Sequence, residues 1–187
     1  MFYRIKPDIY GRSGVLGEPR IPGFDDTFIT GSKLVGQPPV PLIFPSNFDA
    51  RDPPRGFEGM TIPLWSSDLV ELMLSIGVDN FDLYDAVIVG EAGVRWAGYH
   101  AVNVLGAVDA ADMSKSNFLE IMTAPSGTPF ARFQNLVIDT KRVGSLDMFR
   151  LAQDMSTLVV SERVTQALGS NPRPGGWGIT AFPVDES

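Results

Sequence analysis

The chain contains no cysteine and a single histidine, His100. The first absence removes disulfides, thiolate nucleophiles, zinc ribbons and iron–sulfur clusters, and it suits a reducing compartment. The second leaves any imidazole-based metal site or general base resting on one residue. Long apolar runs are also missing: no stretch approaches the ~20 residues of a membrane span. The opening "MFYRIKPDIYG" has none of the basic, apolar and small-residue succession of a secretory leader. These absences describe a soluble chain that starts in the cytoplasm. Positive charge is short as well, with 15 Lys and Arg against 22 Asp and Glu, a formal charge of −7. A surface that tracks phosphates needs clustered Lys and Arg, so neither nucleic acid nor an anionic membrane is an expected partner. A basic protein is.

What remains is a folded composition, 44% hydrophobic and 20% charged over 187 residues, enough for one substantial core. The expectation is a single domain, 1–187, in two textures. Residues 1–61 are rich in Pro and Gly after a strand-like "MFYRI". Proline removes backbone donors, so this part should be loops and edge segments packed on a sheet through Phe24, Phe28, Ile43, Phe44 and Phe48.

Regular signals begin near residue 62. "WSSDLVELMLSIG" predicts a short helix capped by Ser67 or Asp68, with Leu69, Leu72, Met73 and Ile76 inward and Gly77 as its stop. "LYDAVIVG" and "YHAVNVLGAV" predict antiparallel neighbours joined through "GEAGVRWAG". "RFQNLVIDT" and "LDMFRLA" read as a further strand pair turning at Gly144, and "STLVVS" and "WGITAFPV" as strands. "SERVTQALG" reads as a helix capped by Ser161, with Val164, Ala167 and Leu168 inward. The fold class expected is α+β, a largely antiparallel β-sheet with two or three short helices, because a doubly wound parallel sheet needs a helix between most successive strands.

Chemistry is harder to find. His100 lies in "YHAVNV" beside valines, the setting of a packed structural histidine, and no G-x-S-x-G stands in the chain. Asp109 and Asp112, three apart, can share a helical face, but two carboxylates are too few for calcium or magnesium. Asp112, Ser114 and Ser116 can instead cap a helix or a turn. "SGTP" and "PGGWG" are glycine turns without the strand and helix context of a phosphate loop. Asp79, Asp82, Asp85 and Glu91, interleaved with Phe81, Tyr84 and Trp96, can present a surface to a basic partner, or be a solvated loop with its aromatics inward.

The order "VNVLGAVDAADMSKS", "LVIDTKRVGSLDMFRLA", "LVVSERVTQAL", "GWGITAFPV" resembles immunity family eleven of bacterial polymorphic toxin systems. The matching positions are Asn103, Asp109, Asp112, Ser116, Phe149, Arg150, Ser161, Glu162, Phe182 and Pro183. The likeness covers roughly 62–184 and leaves the Pro-rich third outside. It implies a non-enzymatic protein without cofactor or metal, which binds and neutralises a cognate toxin encoded by a neighbouring gene. The motif residues are then structural, "DAADMSKS" being a strand-to-helix corner. The partner surface would be Asp79, Asp82, Tyr84, Asp85, Glu91 and Trp96. Two other readings stay open: a small carboxylate- or metal-dependent enzyme using Asp109 and Asp112, and a non-catalytic adaptor of a secretion system.

Overall fold

The computed structural model describes residues 1–10, 13–17, 19, 27–123 and 129–187. In chain order the strands are β1 (Phe2–Pro7), β2 (Leu42–Pro45), β3 (Phe57–Glu58), β4 (Leu64–Ser66), β5 (Phe81–Val89), β6 (Arg95–Val104) and β7 (Ala107–Val108). They continue as β8 (Asn117–Thr123), β9 (Pro129–Asn135), β10 (Val137–Ile138), β11 (Met148–Leu151), β12 (Asp154–Ser161), β13 (Ile179–Pro183) and β14 (Asp185–Glu186). Among the described residues three α-helices interrupt them: α1 (Ser67–Ser75), α2 (Thr140–Val143) and α3 (Glu162–Ser170). Strands dominate, as expected of the α+β class.

Two five-stranded sheets carry the structure, one in the order β13-β1-β12-β11-β7 and the other β2-β5-β6-β4-β3. Period-2 alternation gives each sheet two apolar faces. Between the sheets, Ile5, Met148, Leu158 and Val160 of the first meet Trp65, Phe81, Val102 and Val104 of the second. Helices α1 and α3 fill this layer with Leu69, Val70, Met73, Val164 and Leu168, each burial stabilising by roughly 1.5–3 kcal/mol. The outer face of the first sheet (Phe149, Leu151, Val159) is covered by Phe118, Ala131 and Phe133 of the β8-β9 hairpin. The outer face of the second (Ala86, Ile88, Tyr99, Ala101) is covered by Phe28, Phe48 and Ile62, with Phe44 of β2 joining the cluster.

Several expectations hold at residue level. Helix α1 buries Leu69 and Met73, packs Leu72 and Ile76 against the core, and stops before Gly77 at φ 75°. Strands β5 and β6 pair antiparallel, with a bulge that lets Ala86 face Tyr99 and Ile88 face Trp96.

Others need correction. Ser66, not Ser67 or Asp68, occupies the N-cap of α1, and its hydroxyl donates to Gly56 O. Ile43 is 40% exposed because alternation along β2 turns Leu42 and Phe44 inward and Ile43 out; Phe24 lies outside the described residues. "RFQNLVIDT" and "LDMFRLA" do not pair with each other: β9 joins β8, β10 runs parallel to β14, and β11 joins β12 and, in parallel, β7. The link "KRV" is a helical turn capped by Asp139, which accepts from Lys141 N–H. After Asp112 the chain makes a turn and enters β8, with no helix at that corner.

The two sheets are joined where β6 runs through Leu105 and Gly106 into β7. Asn80 spans this corner, its Nδ2 donating to Leu105 O (2.6 Å) and to Met148 O (2.8 Å). Gly106 N–H donates to Gly31 O at 2.7 Å, bringing the N-terminal part onto the corner. Gly31 has φ 69°, and a Cβ there would lie 2.9 Å from both Cβ and N of Ala107. Gly93 has a similar φ of 77° with nothing within 4 Å. The left-handed conformation alone costs about 1–2 kcal/mol for alanine, so Gly93→Ala should lose about that much and Gly31→Ala clearly more. Thermal melting measures the difference, since each kcal/mol moves Tm by roughly 2–4 °C at this size. Equal losses would show that the Gly31 contact carries no strain.

Candidate functional site

The acidic and aromatic stretch does not form one patch. Asp82 and Tyr84 share a face of β5 with Ala86 and Ile88, the face covered by the N-terminal part. Asp85 points to the opposite face and is 75% exposed. Asp79 precedes the strand and Glu91 sits in the turn beyond it, both exposed. Tyr84 and Trp96 are half-buried, packed edge-on against Phe28 and Phe48 with centroids 5.4 and 6.2 Å apart. The two rings hold the N-terminal part on the sheet, with part of each still facing solvent.

The residues that carry the resemblance divide by burial. Asn103 is fully buried and its Nδ2 donates to Ser32 O at 2.8 Å. Arg150 is 1% exposed; one terminal nitrogen donates to Met155 O (2.8 Å) and the other to Phe28 O (3.1 Å). With Gly106, these two side chains give residues 28–32 three hydrogen bonds from the core. Burial without a carboxylate partner pulls the Arg150 guanidinium down to about 10, because a low-dielectric site disfavours the charged form. Phe149 is buried edge-on against Phe2.

The remaining motif residues organise turns. Asp112 accepts from Ser114 N–H and, at 2.6 Å, from Ser114 Oγ, while Ser187 Oγ donates to its other oxygen at 3.0 Å. The Ser114 hydroxyl, followed by Ser187 and Lys115, holds the Asp112 carboxyl down to about 2, against the opposing pull of desolvation. Ser116 is buried and accepts from Val137 N–H at 3.0 Å. Ser161 caps α3 in position, but its hydroxyl donates to Asp147 at 2.5 Å and not to the helix. Glu162 stands in the first turn of α3, and Phe182 lies under Lys6 Nζ, 4.7 Å from the ring centroid. Asp109 turns away from Asp112, contacting Gln153 and Arg142 instead. The two carboxylates therefore do not converge, and among the described residues no group of three or more Asp, Glu or His side chains could hold a metal.

One arrangement escaped sequence reasoning. Ser67 Oγ lies 3.1 Å from His100 Nε2, and His100 Nδ1 lies 3.4 Å from Asp85 Oδ1. Hydroxyl, imidazole and carboxylate stand in hydrolase order, yet the geometry is that of a structural pin. The Ser67 hydroxyl is shared, with Gly98 O at the same 3.1 Å as His100 Nε2. His100 Nδ1 approaches Asp85 without making a hydrogen bond. None of the cavities formed at β1 and β12, between α1 and the 170–177 loop, or beside β2 is lined by these three residues. "PGGWG" likewise serves packing: Trp177 Nε1–H donates to Leu168 O and Asn171 O at the end of α3. In "SGTP", residues 126–128 lie outside the described residues.

The model of the Immunity protein family (Imm11) matches residues 32–182. The match begins well before residue 62, so much of the Pro-rich part belongs to the family unit, including Ser32, which Asn103 holds. No curated protein matches the chain. No helix among the described residues is long and apolar enough to cross a membrane.

Two expectations follow from this geometry. Asn103→Ala should cost about 0.5–1.5 kcal/mol, the net worth of its hydrogen bond to the Ser32 carbonyl, and should speed amide exchange at Gly106. Unchanged Gly106 exchange would show that Asn103 does not hold the segment. For Asp112, a folded-state value of about 2 against an ordinary 3.8 means its contribution is complete above about pH 4 and is lost as pH falls through about 2. The Tm gap between the native chain and Asp112→Asn should therefore be widest near neutrality and close across that window. A gap independent of pH would remove the charge from the account.

Proposed function

The chain belongs to the immunity protein family Imm11, and from that membership we propose that it binds and neutralises a cognate toxin by covering the toxin's active site. It acts in the cytoplasm as a stoichiometric inhibitor, with no chemistry of its own, and the whole chain works as one domain. The observation that carries the reading is the family match across both sheets and the corner between them. The toxin is encoded by an adjacent gene and carries a basic surface, because the inhibitor's charge of −7 favours such a partner and raises its association rate. Nucleic acid and membranes are not partners on the same electrostatic ground.

The interface we assign is the acidic stretch around β5. Asp79, Asp85 and Glu91 supply exposed charge, Asp82 adds to it from the other face, and the solvent-facing parts of Tyr84 and Trp96 supply apolar area. Exposed charge of this kind acts mainly on the association rate, and aromatic area anchors.

Co-expression with the adjacent gene product tests the function, and growth is the expected result; persistent toxicity with the inhibitor folded and abundant would contradict it. The combined change Asp79→Lys, Asp82→Lys and Asp85→Lys tests the surface. It should slow association by about tenfold or more at low salt and much less at high salt. Full protection at unchanged association rate would place the interface elsewhere while leaving the function standing.

A further inference from the structure

Strands β1 and β12 pair from Phe2↔Ser161 to Ile5↔Leu158 and then part. Lys6 and Pro7 stay with β13, opposite Thr180 and Ile179, while Ser156 and Thr157 leave with the β11-β12 turn. Where they part, a cavity of about 280 Å³ opens. Its lining has an unusual charge for this chain. Arg4, Lys6 and Arg150 border it, and no Asp or Glu does, although acidic residues outnumber basic ones by 22 to 15. The rest is mainly apolar, with Phe57, Leu158 and Phe182 prominent.

The cations are incompletely partnered. Arg150, 1% exposed, spends its terminal nitrogens on two neutral carbonyls, and its buried Nε has no hydrogen-bond partner. The buried Nε of Arg4 has none either. Ser156 and Thr157 also line the cavity, but their hydroxyls donate to Asp154 at 2.6 and 2.7 Å and are already committed. A buried cation without a counter-charge is retained at a penalty unless an anion or a polar network compensates it. Both Nε atoms are closed to the cavity, so what the fold offers there is positive potential and apolar walls.

We propose that this cavity is a binding site for a small organic anion, a carboxylate or phosphate head on a single-ring apolar body. The head meets the Arg4 and Lys6 side chains, with the charge of Arg150 behind the wall, and the ring rests against the apolar part of the lining. The size agrees. A dry cavity of roughly 150 Å³ holds a benzene ring, and drug-sized ligands need roughly 300–1,000 Å³, so 280 Å³ suits one ring with one charged substituent. None of the residues assigned to the toxin surface lines this cavity, and the site stands whether or not that assignment does.

The test uses the full chain and three probes at fixed ionic strength: benzoate, phenyl phosphate and the neutral benzyl alcohol. Melting and calorimetry should show saturable binding of at least one anion and none of the alcohol, and the stronger of the two names the head group. Lys6→Gln and Arg4→Gln, neither of which removes a buried hydrogen bond, should each weaken that binding by about threefold to tenfold. Arg150→Met, which removes the charge behind the wall, should weaken it as well where the variant folds; where it does not, Lys6→Gln and Arg4→Gln decide. No saturation by either anion below about 10 mM, where ΔG is only about −3 kcal/mol, would overturn the proposal. So would equal binding of the alcohol, or variants that bind as the native chain does.

Discussion

The structure depends on one buried guanidinium. Arg150 stands on β11 facing the layer between the sheets, and its planar fork reaches the carbonyls of Met155, on its own hairpin, and Phe28, far back in the chain. An arginine can do this because it presents several donors in fixed directions, whereas lysine offers only a point charge. Its neighbours complete the arrangement: Arg150 N–H donates to Gly106 O at 2.9 Å, and Gly106 N–H in turn holds Gly31 O. The side chain that fixes the N-terminal part is thus bonded through its own backbone to the corner where the chain passes between sheets. Remove that constraint and Phe28, which covers Ala86, Ala101 and Tyr84 on the second sheet, loses its anchor.

This arrangement explains how a segment rich in proline can be part of a well-packed fold. Residues 27–41 contain no strand or helix, so no ladder or helical turn holds them in place. The core supplies the donors instead, from Arg150, Gly106 and Asn103. The family match reaches back to residue 32, which fits a segment held by side chains that belong to the family pattern. The same economy appears at Asp112, whose carboxylate organises its own turn and reaches Ser187 beside β14.

Local patterns told much of this in advance. The stripe of Leu69, Leu72, Met73 and Ile76 ending at Gly77 specified α1, and the β-rich runs around "GEAG" specified the β5-β6 hairpin, because both depend on near neighbours in the chain. The partners of "RFQNLVIDT" were not legible, since β10 pairs with β14 and β11 with β7 in parallel across long separations that no turn residue announces. The proposed surface shows a different limit. Asp82 and Asp85 look like one cluster in sequence, but an odd spacing in a strand sends them to opposite faces. The basic cavity was invisible for the reverse reason, because Arg4, Lys6 and Arg150 come to border one cavity only after β1 is inserted between β12 and β13. Ser67, His100 and Asp85 likewise come together only through β4-β6 and β5-β6 pairing.

The molecule that emerges is a two-sheet body whose buried polar groups are used mainly to hold backbone. Its Ser67, His100 and Asp85 side chains lie outside the three cavities described above, and its acidic side chains are spread over turns and strand faces. Such a body suits inhibition by occupancy, in which affinity comes from a preorganised surface and not from turnover. The most direct measurement of that claim is a titration of the purified toxin's activity with this protein at toxin concentrations well above the dissociation constant. Occupancy predicts a linear fall to an end point at one equivalent, with activity restored when the complex is dissociated. Loss of activity at a small fraction of an equivalent, persisting after the protein is removed, would mean that it modifies the toxin chemically and would contradict the account.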